Sequence, residues 1–258
     1  MDGVLLAILF VGGAILYATG GVLAGRRLIH PHVAEGHNDV LVPLFLTAGV
    51  IYAVLLGFMV VAVWESYDEA HATAAEEAAT LVPLYRQTND MAPAPGAKMR
   101  ELIRAYAEAV ATDEWHSLET TGHASEKARR ITGDIMREYG TLSPATKIRE
   151  IIDAQFLSTF SQLLVDRNKR LMQATESLSW IMWLGAVGGG VIVVGMCFIL
   201  YMDTWWPQML MAGVMSALIG MLLFMMAVLS RPFVGPLALE PAPFESSLKV
   251  FDDIDRGN

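Results

Sequence analysis

Residues 40–64 read VLVPLFLTAGVIYAVLLGFMVVAVW, a run without Asp, Glu, Lys or Arg that Asp39 and Glu65 bracket. Crossing a hydrocarbon core takes ~20 apolar residues at ~1.5 Å of rise each. Core helices of soluble proteins rarely run so far without charge. In lipid every backbone N–H and C=O must be satisfied inside its own segment, so the run is read as a helix. Beyond Glu65 the chain changes to ESYDEAHATAAEEAATLVPLYRQ (65–87), rich in Ala and Glu and free of glycine. Such residues favour helix, so the membrane helix is expected to continue into water, with Pro83 as the point where it kinks or ends.

Three further stretches lack charge over comparable lengths: 3–25, 177–202 and 204–230. Tryptophans mark their edges. Trp64 ends the first-quoted run, Trp180 and Trp183 open another, and Trp205 and Trp206 lie between the last two, where an amphipathic indole meets the headgroups. No basic stretch precedes residues 3–25 and the run exceeds a signal h-region, so it is expected to remain as a helix. The fold class that follows is an all-α membrane protein, with four transmembrane helices in 2+2 order flanking a helical aqueous domain. The segments are 1–64, 65–177, 178–230 and a C-terminal tail at 231–258.

Composition agrees. The 258 residues are 54% hydrophobic and 17% charged, below the ~25% charge of a soluble domain. A net charge of −9 argues against nucleic acid, which needs a basic face. The lone Cys197 falls in mid-membrane and excludes an intramolecular disulfide. Residues 65–177 hold 13 of the 18 basic and 18 of the 27 acidic residues, a local balance of −5.

Within that segment NDMAPAPG (89–96) is a breaker. Leu102, Ile103, Tyr106 and Val110 then recur at helical spacing. Residues 120–123 break that helix, 124–139 are helical again, and a turn at 140–144 ends in Pro144, which suits the first turn of a final helix. There Ile148, Ile152, Phe156, Phe160 and Leu164 recur every four residues, with Ile151 and Leu163 beside them, a stripe that needs a neighbouring helix or another subunit. The charges Glu76, Glu77, Glu108, Asp113 and Glu114 read as solvated or subunit-contacting, and Trp115 as a packing anchor.

The 2+2 order places both termini and the central domain on one side of the membrane. Arg167, Lys169, Arg170 and Arg231 lie near the membrane there, against Arg26 and Arg27 opposite, which favours a cytoplasmic domain. Small residues at four-residue spacing, Gly49/Ala53/Gly57, Gly185/Gly189 and Ala212/Ser216/Gly220, are expected to let membrane helices approach closely.

Several stretches, taken in order, resemble a known family: HNDV (37–40), YAVLLGFMVVAVWESYDEA (52–70), EEAATLVPLYR (76–86), RAYAEAVATDEW (104–115) with Gly122 following, NKRLMQATESLSWIMW (168–183) and SRPFVGP (230–236). The set resembles bacterial bestrophin-like membrane proteins over residues 37–236. It marks His37, Asn38, Trp64, Glu114, Trp115, Arg231, Pro232 and Phe233 as motif residues, with no role attached. The chain is more distantly similar to bestrophins proper, through Leu56-Gly57-Phe58, Trp64 to Tyr67, and Arg231-Pro232-Phe233-Val234-Gly235 in place of an NPFG element. That resemblance implies a pentameric anion channel in a bacterial inner membrane, with small inorganic ions, the lipid bilayer and further copies of itself as partners. Carried over by position, its apolar neck falls on Val50, Val54 and Phe58. The calcium-binding acidic cluster is not carried over, because Leu237 to Pro243 holds only Glu240 and the DDID run comes later, at 252–255.

Val50, Val54 and Phe58 share one helical face, next to that of Gly49, Ala53 and Gly57, and an apolar stripe around an axis can gate by dewetting. The same residues serve equally well against lipid and protein. With the helix lining a pore, Asp39 rings one mouth and Glu65 with Glu69 the other, and acidic rings favour cations, whereas the resemblance implies anions. His30, His32 and His37 with Glu35 and Asp39 have donor types that suit zinc, but their loop sets no geometry, and no metal or cofactor is assigned. Phosphate loops, nucleophile elbows, HExxH and paired cysteines are lacking, so no enzyme is indicated. The spans carry no charge of the kind proton relays and carriers keep. The expectation is an oligomeric ion channel; the alternative is a non-conducting scaffold or sensor whose helical domain binds a partner.

Overall fold

The computed structural model describes residues 3–29, 36–141 and 147–257. The α-helices in that part of the chain are α1 (Gly3–Leu28), α2 (His37–Gln87), α3 (Pro93–Ala109), α4 (Trp115–Thr121), α5 (Glu126–Tyr139), α6 (Lys147–Thr175), α7 (Trp180–Ile199), α8 (Trp205–Leu229) and α9 (Ala242–Arg256). There is no strand among the described residues. The chain forms two compact units, Met1–Ser66 with Ser177–Ser230, and Tyr67–Glu176 with Arg231–Asn258.

The first unit holds four helices long and apolar enough to cross a membrane. Lipid offers no hydrophobic drive between helices, so their packing rests on close fit. Gly220 of α8 lies against α1, where a Cβ would stand 2.9 Å from the Phe10 carbonyl oxygen. Gly189 and Gly190 of α7 leave room for the Tyr52 ring, whose hydroxyl donates to the Ala186 carbonyl at 2.8 Å. A Cβ on Gly49 or Gly57, by contrast, would meet open space, so these two serve no close approach within the chain. At one end of the unit Arg26 donates to the Met202 carbonyl (3.1 Å) and to Gln208 Oε1 (2.9 Å). Gln208 in turn donates to the carbonyls of Cys197 (3.0 Å) and Leu200 (2.8 Å), and Asn38 donates to the Tyr201 carbonyl at 2.8 Å. These bonds satisfy carbonyls that the end of α7 leaves without helical partners.

In the second unit the part of α2 from Tyr67 continues through Pro83 to Gln87, so the proline does not end it. The expected breaker is also shorter than NDMAPAPG: a 3-10 turn at Thr88–Asp90 suffices and α3 already begins at Pro93. The first turn of a helix uses no N–H of its own, so proline fits there. Gly122, at φ +70°, closes α4 with its N–H on the Leu118 carbonyl. Pro144 lies outside the described residues. The stripe on α6 divides. Phe156, Phe160 and Leu163 are buried, whereas Ile151 is exposed and belongs to another face; Ile148 lies outside the described side chains.

Residues 231–257 carry structure that the hydrophobic pattern did not announce. Gly235, at φ +104°, turns the chain, and Leu239 N–H returns to the Pro232 carbonyl at 2.8 Å. Helix α9 follows, burying Phe244, Ser247 and Phe251. Phe251 stacks on Tyr85 with ring centroids 4.1 Å apart. Arg104 holds Asp252 and Asp255 at 2.8 and 2.9 Å, which accounts for two acids of the DDID run.

Candidate functional site

Two places gather the residues that the sequence singles out, one in each unit. In the membrane unit α2 turns a narrow stripe inward: Tyr52, Leu56, Met59 and Val63 are buried. Val50, Val54 and Phe58 lie off that stripe and are 64%, 54% and 72% exposed on the single chain. They share this exposure with Ile51, Leu55 and Val61. Gly49, Ala53 and Gly57 line an apolar groove of about 360 Å³ with Val193, Met215 and Leu218. Asp39, Trp64 and Glu65 are exposed, and Asp39 N–H bonds the Gly36 carbonyl as α2 begins. Of the histidine-rich loop, His30, His32 and Glu35 lie outside the described residues.

The second place is a buried ion-pair knot. Glu77 and Glu114, expected at the surface, are fully buried, and so is Arg170. Arg170 Nε donates to Glu77 Oε2 at 2.6 Å, and its Nη2 donates to Glu114 Oε1 at 2.6 Å and to Glu77 Oε1 at 3.1 Å. Arg167 Nη2 reaches Glu114 Oε2 at 2.5 Å, which also accepts the Ser125 N–H at 3.1 Å. The Tyr106 hydroxyl completes the set on Glu77 Oε1 at 2.6 Å. Burying an unpaired charge is prohibitive, so charges go inside only when paired and hydrogen-bonded. Two acids and two arginines balance formally, and each carboxylate oxygen accepts a bond.

The local fold builds this arrangement. Helices α3 and α4 form one rod interrupted by a π-turn over Val110–Glu114, where Trp115 N–H bonds the Val110 carbonyl five residues back. Residues four apart drift by about 40° on an α-helix. The wider turn offsets that drift, so Tyr106, Val110, Glu114 and Leu118 all face inward. On α6 the buried positions 156, 160, 163, 167 and 170 step by four and three, so the apolar stripe runs straight into Arg167 and Arg170. That spacing was the available signal for their burial.

Aromatic rings enclose the knot. The Arg170 guanidinium carbon lies 5.5 Å from the Trp115 ring centroid and 5.7 Å from that of Phe244, close enough for cation–π attraction. Trp115 meets Phe233 edge-on at 5.4 Å and donates its Nε1–H to the Leu239 carbonyl at 2.6 Å. Glu114, Trp115, Pro232 and Phe233 of the motif set are therefore neighbours in one core, and Arg231 is exposed. Burial pushes the Tyr106 hydroxyl well above its ordinary pKa, and the Glu77 carboxylate adds to this. Burial alone would disfavour the Arg170 cation, but Glu77 and Glu114 outweigh it and hold its pKa above the usual range. All four carboxylate oxygens of the knot are bonded, while Arg167 Nε and Arg170 Nη1 are buried without a hydrogen-bond partner, so the knot is a charged brace rather than a source of free acid or base. Glu69, on the outside, pairs with Lys169 at 2.9 Å.

An all-α chain with four membrane-spanning helices and this motif-built core has close parallels among known proteins. Residues 12–244 match the Bestrophin-like domain, and the chain belongs to that family. Similar solved structures include two mutants of a bacterial bestrophin homologue from Klebsiella pneumoniae. One is 16% identical with a TM-score of 0.76, over 96% of this chain and 96% of that one. The other is 17% identical with a TM-score of 0.72, over 96% and 98%. A third, a membrane protein, is 17% identical with a TM-score of 0.76, over 96% and 97%. At this identity the likeness is one of fold. Among curated proteins no match is found.

Proposed function

We propose that this protein is a subunit of a homo-oligomeric ion channel, pentameric like the bestrophins it resembles, in a bacterial inner membrane. Helix α2 lines the conduction path and Val50, Val54 and Phe58 form its apolar neck. Both termini and the aqueous unit lie on the cytoplasmic side. The observation that carries this reading is how little of α2 is used within its own unit. Leu41, Tyr52, Leu56, Met59 and Val63 are buried, with Phe45 and Val60 packed beside that core, whereas Val50, Val54 and Phe58 are more than half exposed, so the neck stripe is left for neighbours or a water path. Family membership supports the same conclusion. The acids at the two ends, Asp39 at one and Glu65 with the Lys169-paired Glu69 at the other, would favour cations, whereas the family likeness favours anions.

Planar-bilayer recording of the purified protein is the test. Single-channel conductance is expected, with its size or gating changed in the double variant Val54→Ala, Phe58→Ala. A silent bilayer, or currents identical in the variant, would overturn the assignment and favour a non-conducting scaffold.

A further inference from the structure

Asn38, one of the motif residues, binds a distant segment through both ends of its side chain. It is the second residue of α2. Its Nδ2 donates to the Tyr201 carbonyl at 2.8 Å, and its Oδ1 accepts the Tyr201 N–H at 3.1 Å. One amide thus pairs with both backbone groups of one residue, as an opposite peptide unit would in an antiparallel ladder. The segment it holds is anchored from other helices as well. Gln208 of α8 takes the Leu200 carbonyl at 2.8 Å, and Arg26 of α1 takes those of Met202 at 3.1 Å and Asp203 at 3.2 Å. Every carbonyl from Leu200 to Asp203 is therefore held by a side chain from a helix other than α7, and Asn38 is the contribution of α2.

The clamp fixes a rotation as well as a position. Residues on an α-helix advance by about 100° each. Asn38 accordingly falls on the stripe of Leu41, Tyr52, Leu56, Met59 and Val63, all buried, and carries it to the first turn of the helix. Asp39 lies one step round, on the outward side. Eleven residues make three turns and about 20° more, so Asp39 shares a face with Val50, and both are exposed. The residue that faces inward and the residue that faces the neck side are thus adjacent in the chain, and holding the first sets the direction of the second.

We infer that Asn38 is a positioning residue of the ion path. By clamping Tyr201 it sets the rotation of the first turn of α2 and holds the Asp39 carboxylate on the neck side of the mouth, where it favours the passage of cations over anions. The inference rests on the channel proposed above and names both the residue that gives one mouth its charge preference and the residue that aims it. A carboxylate acts on a passing ion by Coulomb attraction, which falls inversely with distance; swung back to twice the distance, it keeps about half its effect. Asn38 carries no charge of its own, so its removal changes the charge preference through the placement of Asp39.

Reversal potentials of the full-length protein in planar bilayers, under a potassium chloride gradient, test this. Asp39→Asn is expected to lower the potassium-to-chloride permeability ratio about twofold or more, whichever ion carries more of the current. Asn38→Ala should lower it in the same direction by part of that change. Adding Asn38→Ala to Asp39→Asn should lower it no further, because both substitutions act through one carboxylate. Where Asn38→Ala does not assemble, as read by size-exclusion chromatography in detergent, Asn38→Ser takes its place with the same expected shift, its side chain being too short to span both Tyr201 groups. A wild-type ratio in the assembled Asn38 variant, or a further fall in the double variant, overturns the positioning role. A wild-type ratio in Asp39→Asn overturns the role of Asp39, and with it the inference, and leaves the channel standing. A silent wild-type bilayer overturns the channel and the inference together.

Discussion

Exposed valines, isoleucines and methionines occur in both units, and they mean different things in each. On α2 the surroundings are hydrocarbon, and an outward Val50 or Ile51 loses nothing by facing lipid. Most of the helix can therefore stay outside its own bundle, with one narrow stripe packed through Tyr52 and Leu56. On α6 the surroundings are water, and each outward apolar side chain forgoes ~1.5–3 kcal/mol of burial. The same observation thus costs nothing in the membrane unit, where lipid, a neighbour or a pore can each cover it, and costs burial energy in the aqueous one. Buried polar groups reverse the contrast. The membrane unit uses amide and guanidinium bonds to carbonyls at one end, through Arg26, Asn38 and Gln208. The aqueous unit encloses four formal charges in aromatic surroundings.

The sharpest way to break this comparison is to remove one side of the buried knot. Arg170→Met leaves Glu77 and Glu114 enclosed without their shared partner, a loss of about 3–5 kcal/mol. Against a total stability of ~5–15 kcal/mol, the variant should accumulate poorly and show a strongly lowered apparent Tm in detergent. Adding Glu77→Gln to Arg170→Met should restore part of the loss, since the remaining buried charges, Arg167 and Glu114, then balance as one pair. A wild-type Tm for the single variant would show that the knot does not brace the unit.

A smaller effect is expected where the membrane unit depends on close fit. Gly220→Leu places side-chain atoms where the Phe10 carbonyl lies 2.9 Å from a Cβ position, and such overpacking costs about 1–3 kcal/mol. Gly57→Leu, in open space on the single chain, should leave the apparent Tm of dissociated subunits unchanged. Equal losses at both positions would contradict the packing described.

The smallest effect belongs to the solvated surface. The Lys127 ammonium hydrogen-bonded to Asp113 at 2.7 Å, with Thr112 assisting, holds the Asp113 carboxyl below its ordinary value of 3.8. A carboxyl lowered on folding contributes stability above its unfolded pKa and loses it as the pH falls through the lowered folded value. Lys127→Ala should therefore lower the apparent Tm at pH 7 by no more than ~2 °C, with the difference fading in acid. A large drop that persists at low pH would show that Lys127 does more than pair at the surface.

Much of the architecture is legible along the chain because lipid imposes a simple rule. Charge-free runs, edge tryptophans and small-residue spacings locate α1, the start of α2, α7 and α8 without reference to one another. The core residues Ile103, Tyr106, Val110, Phe156, Phe160 and Leu163 are legible from period alone. Glu77 and Glu114 read as surface charges because a carboxylate is solvated unless a cation is brought to it, and that cation lies 93 and 56 residues further on. The π-turn left no local mark, and α9 was hidden in what reads as a short polar tail. Its two buried phenylalanines, seven residues apart, are too sparse to declare a helix.

The sequence alone thus determined that this protein crosses a membrane four times and is helical throughout, because backbone hydrogen bonding in lipid and apolar spacing in water are local requirements. Only the tertiary structure decided which charges go inside, which glycines admit a neighbour and which face of α6 is left outward. Those outcomes depend on atoms from distant segments meeting at bonding distance, and no window along the chain contains them.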